Sequence, residues 1–302
     1  MNKIFILSCI FLTTWLEAVD TASDFFDTSF LKKYNLVRQR LIHSENFEQV
    51  SFTTQDGYTL HGLARFVDVP ECTLIFINGF FPGKCEGLAS YIKLVPENYN
   101  ILFYDARHRG QSRNIYSLLN IWQYGLLEYK DVLASLDYMH SRSKVPIIIH
   151  GTCAGAFHAA RALIYLTKTD PCAIKKLALK GLIYDSGWAH MSAVAPQAFQ
   201  ELIKSSSLLT ILSKPFMQLM TLHKSFTLSV QNVMHSIPIP LFFVHSTNDT
   251  IAPFLDLVDL AQEVHDKHYW WIPVSKHACH HLKYAQEYAD KLQKFCCYAL
   301  RK

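Results

Sequence analysis

The sequence predicts an α/β protein with a mostly parallel central sheet and helices on both of its faces. Three observations predict it. The runs CTLIFIN (72–78), VPIIIH (145–150) and PLFFVH (240–245) are apolar on both sides, as strands buried from both faces must be. Helical stretches separate these runs, the alternation that builds parallel sheets. Of 302 residues, 50% are hydrophobic and 18% charged, which excludes disordered and collagen-like classes.

The elements follow in order. Residues 1–18 (MNKIFILSCIFLTTWLEA) have a short head containing Lys3 and an apolar run from Ile4 to Leu16. A membrane span needs about 20 residues. The shorter run has the form of a secretory signal, with Ala18 before the cleavage point. The expectation is a signal peptide at 1–18, one domain at 19–302 and an exported protein, periplasmic or secreted. An uncleaved N-terminal anchor and a buried N-terminal helix are the alternatives. A partly polar helix over 23–46 leads into two alternating strands, 47–54 and 58–66. They flank Asp56-Gly57, a hairpin signal. After strand 72–78 come a helix at about 86–95, strand 101–105, a long helical stretch at about 117–142, and strand 145–150. Helix 154–167, strand 179–185, strand 240–245, helix 254–265, strand 269–274 and a helix from about 283 complete the pattern. Right-handed crossovers bring the C-terminal ends of parallel strands to one edge of the sheet, where the chemistry gathers.

Lys and Arg total 29 against 25 Asp and Glu, a net charge of +4 with no dense basic run. No nucleic-acid partner is expected. The eight cysteines form no C-x-x-C pair, so no structural zinc site is expected. No cofactor is implied.

Gly151-Thr152-Cys153-Ala154-Gly155 lies between a strand and an Ala-rich helix. Flanking glycines permit a tight turn that pushes the central side chain outward. The helix N-terminus favours a thiolate there, and the Ala154 N–H is a donor for an oxyanion. The alternative is a Cys packed beneath a glycine-rich turn. A nucleophile needs a base, and the base an orienting acid. HSTNDTIAP (245–253) offers Asp249, which as an isolated residue also reads as a helix cap. KHACHHL (276–282) offers His277, His280 and His281. Three histidines this close also suit a metal, but no second ligand cluster accompanies them. Asp185, after strand LKGLIYD, is an alternative acid.

The order nucleophile, acid, histidine, each after a successive strand, resembles the α/β-hydrolase fold family over nearly all of 47–300. Asn78-Gly79-Phe80 takes the place of the family's His-Gly-x oxyanion segment, which implies the Phe80 backbone N–H as second donor. DARHRGQS (105–112) looks like the family's Asp-x-Arg-Gly-x-Gly-x-Ser segment. HSTNDTIAP resembles the family's acid turn and puts the acid at Asp249. In SKHACHHLKYAQEY the histidine about eleven positions before the helical Tyr288 is His277. The resemblance thus implies a catalytic triad of Cys153, Asp249 and His277. Where the family commonly has Ser, this chain has Cys, as in dienelactone-hydrolase-like members.

Residues 188–236 are an insert dense in apolar residues at near-helical spacing, among them Phe199, Leu202, Leu209, Leu212, Phe216 and Met220. In this fold such inserts form helical lids, and an apolar cleft suits acyl chains. Packing against the sheet is the alternative. The expected partner is a small-molecule ester or thioester with an apolar acyl part. The N-terminal segment or the lid is where membrane contact is expected. The reading is an ester or thioester hydrolase acting through a covalent acyl-enzyme. An acyltransferase with the same triad and a non-catalytic binding protein of the same fold are the alternatives.

Overall fold

The structure, a computed structural model, describes residues 28–79, 91–112, 125–194 and 224–302. The expected signal at 1–18, Phe80, Cys85 and the insert residues 195–223 lie outside the described residues.

Helix α1 (Thr28–Ser44) precedes β1 (Glu48–Thr53) and β2 (Thr59–Arg65). These two strands pair antiparallel around the 56–57 turn, where Gly57 has φ +80. Then come β3 (Cys72–Ile77), β4 (Tyr99–Asp105), α2 (Glu128–Arg142), β5 (Ile147–Thr152) and α3 (Ala154–Thr169). They are followed by β6 (Leu179–Asp185), β7 (Leu241–Ser246), α4 (Phe254–Glu263), β8 (Lys267–Ile272) and α5 (Ala285–Arg301). The eight strands form one sheet in the order β1-β2-β4-β3-β5-β6-β7-β8. β2 meets β4 antiparallel, and from β4 to β8 every pairing is parallel. Every position of β3, β5 and β7 is buried, which is why these runs carry no alternation.

The sheet separates two apolar cores. On one face Val132 and Leu136 of α2, Phe157 and Leu163 of α3, and Leu257 and Leu260 of α4 pack together. On the other, Leu41 of α1 and Tyr288, Leu292 and Phe295 of α5 belong to one cluster. Among the described residues no helix is long and apolar enough to cross a membrane.

Of the boundaries that differ from the sequence expectation, three are explained by strand pairing or by a turn. β5 begins later and runs to Thr152, because Gly151 and Thr152 still pair with Tyr184 and Asp185. His150 is therefore inside the strand rather than beyond it. β8 spans Lys267–Ile272, not 269–274, since its register on β7 runs from Leu241↔Lys267 to Ser246↔Ile272. Pairing overrides the weak strand preference of Lys267 and His268, and Val274 is left exposed past the strand. Of the stretch 117–142, residues 117–124 lie outside the described residues, and in the described part the helix begins at Glu128. Gly125, at φ +83, adopts a left-handed turn conformation just before it.

The DARHRGQS segment is a fastening between layers. The Arg107 side-chain Nε donates to Asp131 Oδ1 of α2 at 2.7 Å, and its backbone N–H donates to Oδ2 at 2.8 Å. Its two terminal nitrogens donate to Asp56 of the hairpin turn at 3.0 and 3.1 Å. The Ser112 hydroxyl donates to Asp105 O and accepts the His61 N–H. Arg109 reaches over to the Gly79 carbonyl at 3.1 Å, so this loop also braces the segment beside the site. Asp131 is fully buried. Arg107→Ala would strand that carboxylate, and a broken buried pair costs about 3–5 kcal/mol. Denaturant unfolding should show a loss of that order; a loss under about 1 kcal/mol would show the pair to be dispensable.

Candidate active site

The site is built where β5 turns directly into α3. Cys153 occupies the junction at φ 58, ψ −124, a conformation that persists only where the surroundings over-determine it. Here they do. The Cys153 N–H donates to Asp185 O at 2.8 Å, and its carbonyl accepts the Ala156 N–H. A Cβ on Gly151 would lie 2.5 Å from Ala156 Cα, and one on Gly155 would collide with the Ile77 carbonyl. Gly79 is equally confined: its Cβ would lie 2.8 Å from Cys153 Cβ and 3.1 Å from Sγ. Bare backbone is thus required on three sides of the cysteine. Ala154 is the first residue of α3, so its N–H has no partner within the helix and is suited to meet developing negative charge. Phe80, the other expected donor, lies outside the described residues.

Asp249 and His277 are brought to this point from the loops after β7 and β8. Asp249 Oδ2 accepts from His277 Nδ1 at 2.8 Å. Its Oδ1 accepts the Ile251 and Ala252 N–H groups, both at 2.9 Å. The cap-like function and the orienting function thus fall on different oxygens of one carboxylate. His277 also shares a side-chain hydrogen bond with Cys153. Both Asp249 and His277 side chains are buried. Burial alone would disfavour their charged forms. Yet Asp249 is held below the ordinary carboxylate range by its bond to and attraction for His277. For His277, burial opposes the charge, but the Cys153 thiolate and the Asp249 carboxylate together push it up to about 10. A proton on His277 would stand beside a Cys153 thiolate as an ion pair.

The other candidates go elsewhere. Asp185 is fully buried and accepts from the Tyr288 hydroxyl at 2.7 Å and the Ser186 hydroxyl at 2.8 Å. The carboxylate of this alternative acid is thus engaged by side-chain donors. Burial would raise it, but His280, His150 and these hydroxyls hold it low. His280 meets Ser186 Oγ at 2.9 Å. His281 stacks on Tyr91, ring centroids 3.8 Å apart. Neither competes for the position of His277.

Three further polar residues surround these groups. His245 donates from Nε2 to Ala252 O at 3.0 Å and lies 3.7 Å from Asp249 Oδ2. Burial keeps it low, hence neutral, and it ties down the acid turn. The only signal for it was the first letter of HSTNDTIAP. His150, pushed by burial down to about 4, meets Tyr288 at 2.6 Å. Ser186 carries no local signal. Among the described residues no group of three or more His, Cys, Asp or Glu is placed to hold a metal ion.

No family model matches the chain. An uncharacterized protein of Salmonella typhimurium, YfhR, is 27% identical over 270 residues, 84% of this chain and 82% of that protein. Among solved structures, the Pyrococcus furiosus esterase Pf2001 is similar with a TM-score of 0.67 and 19% identity, covering 84% of this chain and 91% of that one. The α/β hydrolase GrgF of Penicillium sp. sh18 is similar with a TM-score of 0.62 and 16% identity, covering 85% and 99%. An esterase of Exiguobacterium antarcticum, EaEST, follows with 0.60 and 12%, covering 84% and 100%. With its sheet order and strand-to-helix turn, this chain has the α/β-hydrolase fold.

Such an ion pair would make Cys153 reactive at low pH. Iodoacetamide labelling of the Cys153 peptide should have its midpoint well below the ~8.5 of a free thiol. A midpoint at or above that value would contradict the pair.

Proposed function

We propose that the protein is a hydrolase of carboxylic esters or thioesters, with Cys153 as nucleophile, His277 as acid and base, and Asp249 as the group orienting His277. One observation carries this reading. Cys153 is held in a strained turn at a helix N-terminus and hydrogen-bonded to a histidine whose far nitrogen is bonded to a buried carboxylate. A merely packed cysteine needs none of this. The esterases and hydrolases that share the fold lend the same direction.

The thiolate attacks the acyl carbon, and the carbonyl electron pair moves onto oxygen. The Ala154 N–H, with Phe80 N–H as second donor, stabilises that oxyanion, the term that usually contributes most. On collapse the C–O or C–S bond to the leaving group breaks, and the His277 imidazolium gives it a proton. Neutral His277 then takes a proton from water, whose oxygen attacks the acyl-thioester. Cys153 departs as thiolate, the acid is released, and the imidazolium is restored. Asp249 remains ionised throughout and fixes the tautomer. Water as the acceptor distinguishes this reading from acyl transfer. An apolar acyl part fits the composition of the insert, and residues 1–18 are the basis for proposing export.

Turnover of alkyl esters and acyl-thioesters should fall by about 10³-fold or more in Cys153→Ala. Wild-type rates in that variant would overturn the proposal. The proton on His277 is the one given to the leaving group. Activity should therefore decline as pH rises through about 10, and a rate still climbing beyond it would contradict this role.

A further inference from the structure

Behind the Cys153–His277 pair lies a second group of polar side chains that the chemistry does not use: Asp185, Ser186, His280, Tyr288 and His150. Asp185, Ser186, His150 and His280 have no exposed surface. Burying this much polarity is costly unless each group is satisfied.

Valence assigns the protons. The Asp185 carboxylate only accepts, so the Ser186 hydroxyl donates to Oδ1 and the Tyr288 hydroxyl to Oδ2. Each hydroxyl has one proton. Tyr288 must therefore accept from His150 Nε2, and Ser186 must accept from His280 Nε2. Ser186 Oγ also accepts the backbone N–H of Ala278 at 3.0 Å. Ala278 is the residue after His277 and has φ +50.

We infer that the Asp185–Ser186 step at the end of β6 is a positioning element that sets Cys153 against His277. Its two ends hold the two reacting residues. The Asp185 carbonyl accepts the Cys153 N–H at 2.8 Å, and one residue later the Ser186 hydroxyl accepts from the histidine loop. The Ser186 N–H donates to Val244 O at 2.8 Å, which locks the same step to the strand leading to Asp249. Ser186 itself sits at φ +53, an uncommon conformation for a non-glycine residue and one maintained by its surroundings. The Asp185 charge orients the Ser186 hydroxyl so that its lone pairs face His280 and Ala278. Loss of that hydroxyl frees the histidine loop from the strand that fixes the cysteine, and the ion pair loosens. This rests on Cys153 and His277 being the reacting pair.

The test is the pH dependence of iodoacetamide alkylation at the Cys153 peptide of the full chain, from about pH 4 to about pH 10, with thermal unfolding in parallel. The proteins are wild type, Ser186→Ala, Ser186→Gly and Tyr288→Phe. Glycine accepts φ +53 without strain, so Ser186→Gly carries the test where Ser186→Ala does not fold. Both Ser186 variants should shift the midpoint up by about one unit, about tenfold slower labelling on the acid side. Tyr288→Phe removes a bond to the same carboxylate without touching the clamp. It should lower thermal stability and leave the midpoint in place. Ser186 variants that titrate as wild type does, or an equal shift in Tyr288→Phe, would overturn the positioning role alone. A wild-type midpoint at or above that of an ordinary thiol would overturn the Cys–His pair and this inference with it.

Discussion

The site depends on how closely three stretches of backbone approach one another at the end of β5. Strand must become helix across Cys153, while the chain leaving β3 passes against the same residue. Side chains at 79, 151 or 155 would each fill space that another backbone or the cysteine already occupies. Strain at such a residue costs about 1–3 kcal/mol, and it is offset by what surrounds it. β5 is buried at every position, and Ala154, Ala156, Phe157 and Ala160 of α3 have no exposed surface. The small residues of that helix are a consequence of the same closeness, since a larger side chain would lift α3 from the sheet and open the turn.

Within this frame two buried aspartates divide the work by topology. Asp249 follows β7 and Asp185 ends β6. Both stay below the ordinary carboxylate range in spite of burial, but for different reasons. Asp249 faces an imidazolium and is supported by two backbone N–H groups from its own turn. Asp185 is held chiefly by the nearby His280 and by two hydroxyls. In the proposed mechanism the first arrangement responds to the protonation of His277, which changes in each catalytic cycle. The second involves no group that reacts, and it provides a fixed reference against which the loops after β5 and β8 are set.

Most of the sheet was legible because burial on both faces leaves no polar residue in β3 except the small Thr73, and none in the first half of β5 or in most of β7. The start of β8 was not, because Lys267 and His268 join an edge strand whose extent is decided by pairing with β7. Asp249 was legible through its turn, in which the bonds to Ile251 and Ala252 are local in sequence. His277 was separable from His280 and His281 only by its spacing to Tyr288. Nothing short-range distinguishes the three, and their different partners come from β7, β6 and the segment after β3. Ser186 was invisible for the same reason: its contacts at 244, 278 and 280 are all distant in the chain.

A chain with several thiols needs a physical reason for one of them to react, and the structure supplies it by environment rather than by exposure. The six described cysteines are all free thiols. Cys72 and Cys296 are buried without a cation, and burial pushes both thiols up, Cys296 to about 12. They serve as small apolar side chains of the second core. Cys172 and Cys297 are exposed and lie away from the site: one precedes a four-residue helical turn, and the other lies on the outer face of α5. Cys153 is buried too, yet it is hydrogen-bonded to His277, and in the proposed mechanism a proton on that histidine reverses the effect. Taken out of water alone, a thiolate loses its hydration and is disfavoured. Taken out together with an imidazolium, it keeps its charge in a medium where their attraction is weakly screened. The same argument explains why the clamp at Ser186 has to be rigid. The stabilisation falls off with the separation of the two charges, so reactivity at Cys153 is only as well defined as the backbone geometry that holds His277 beside it.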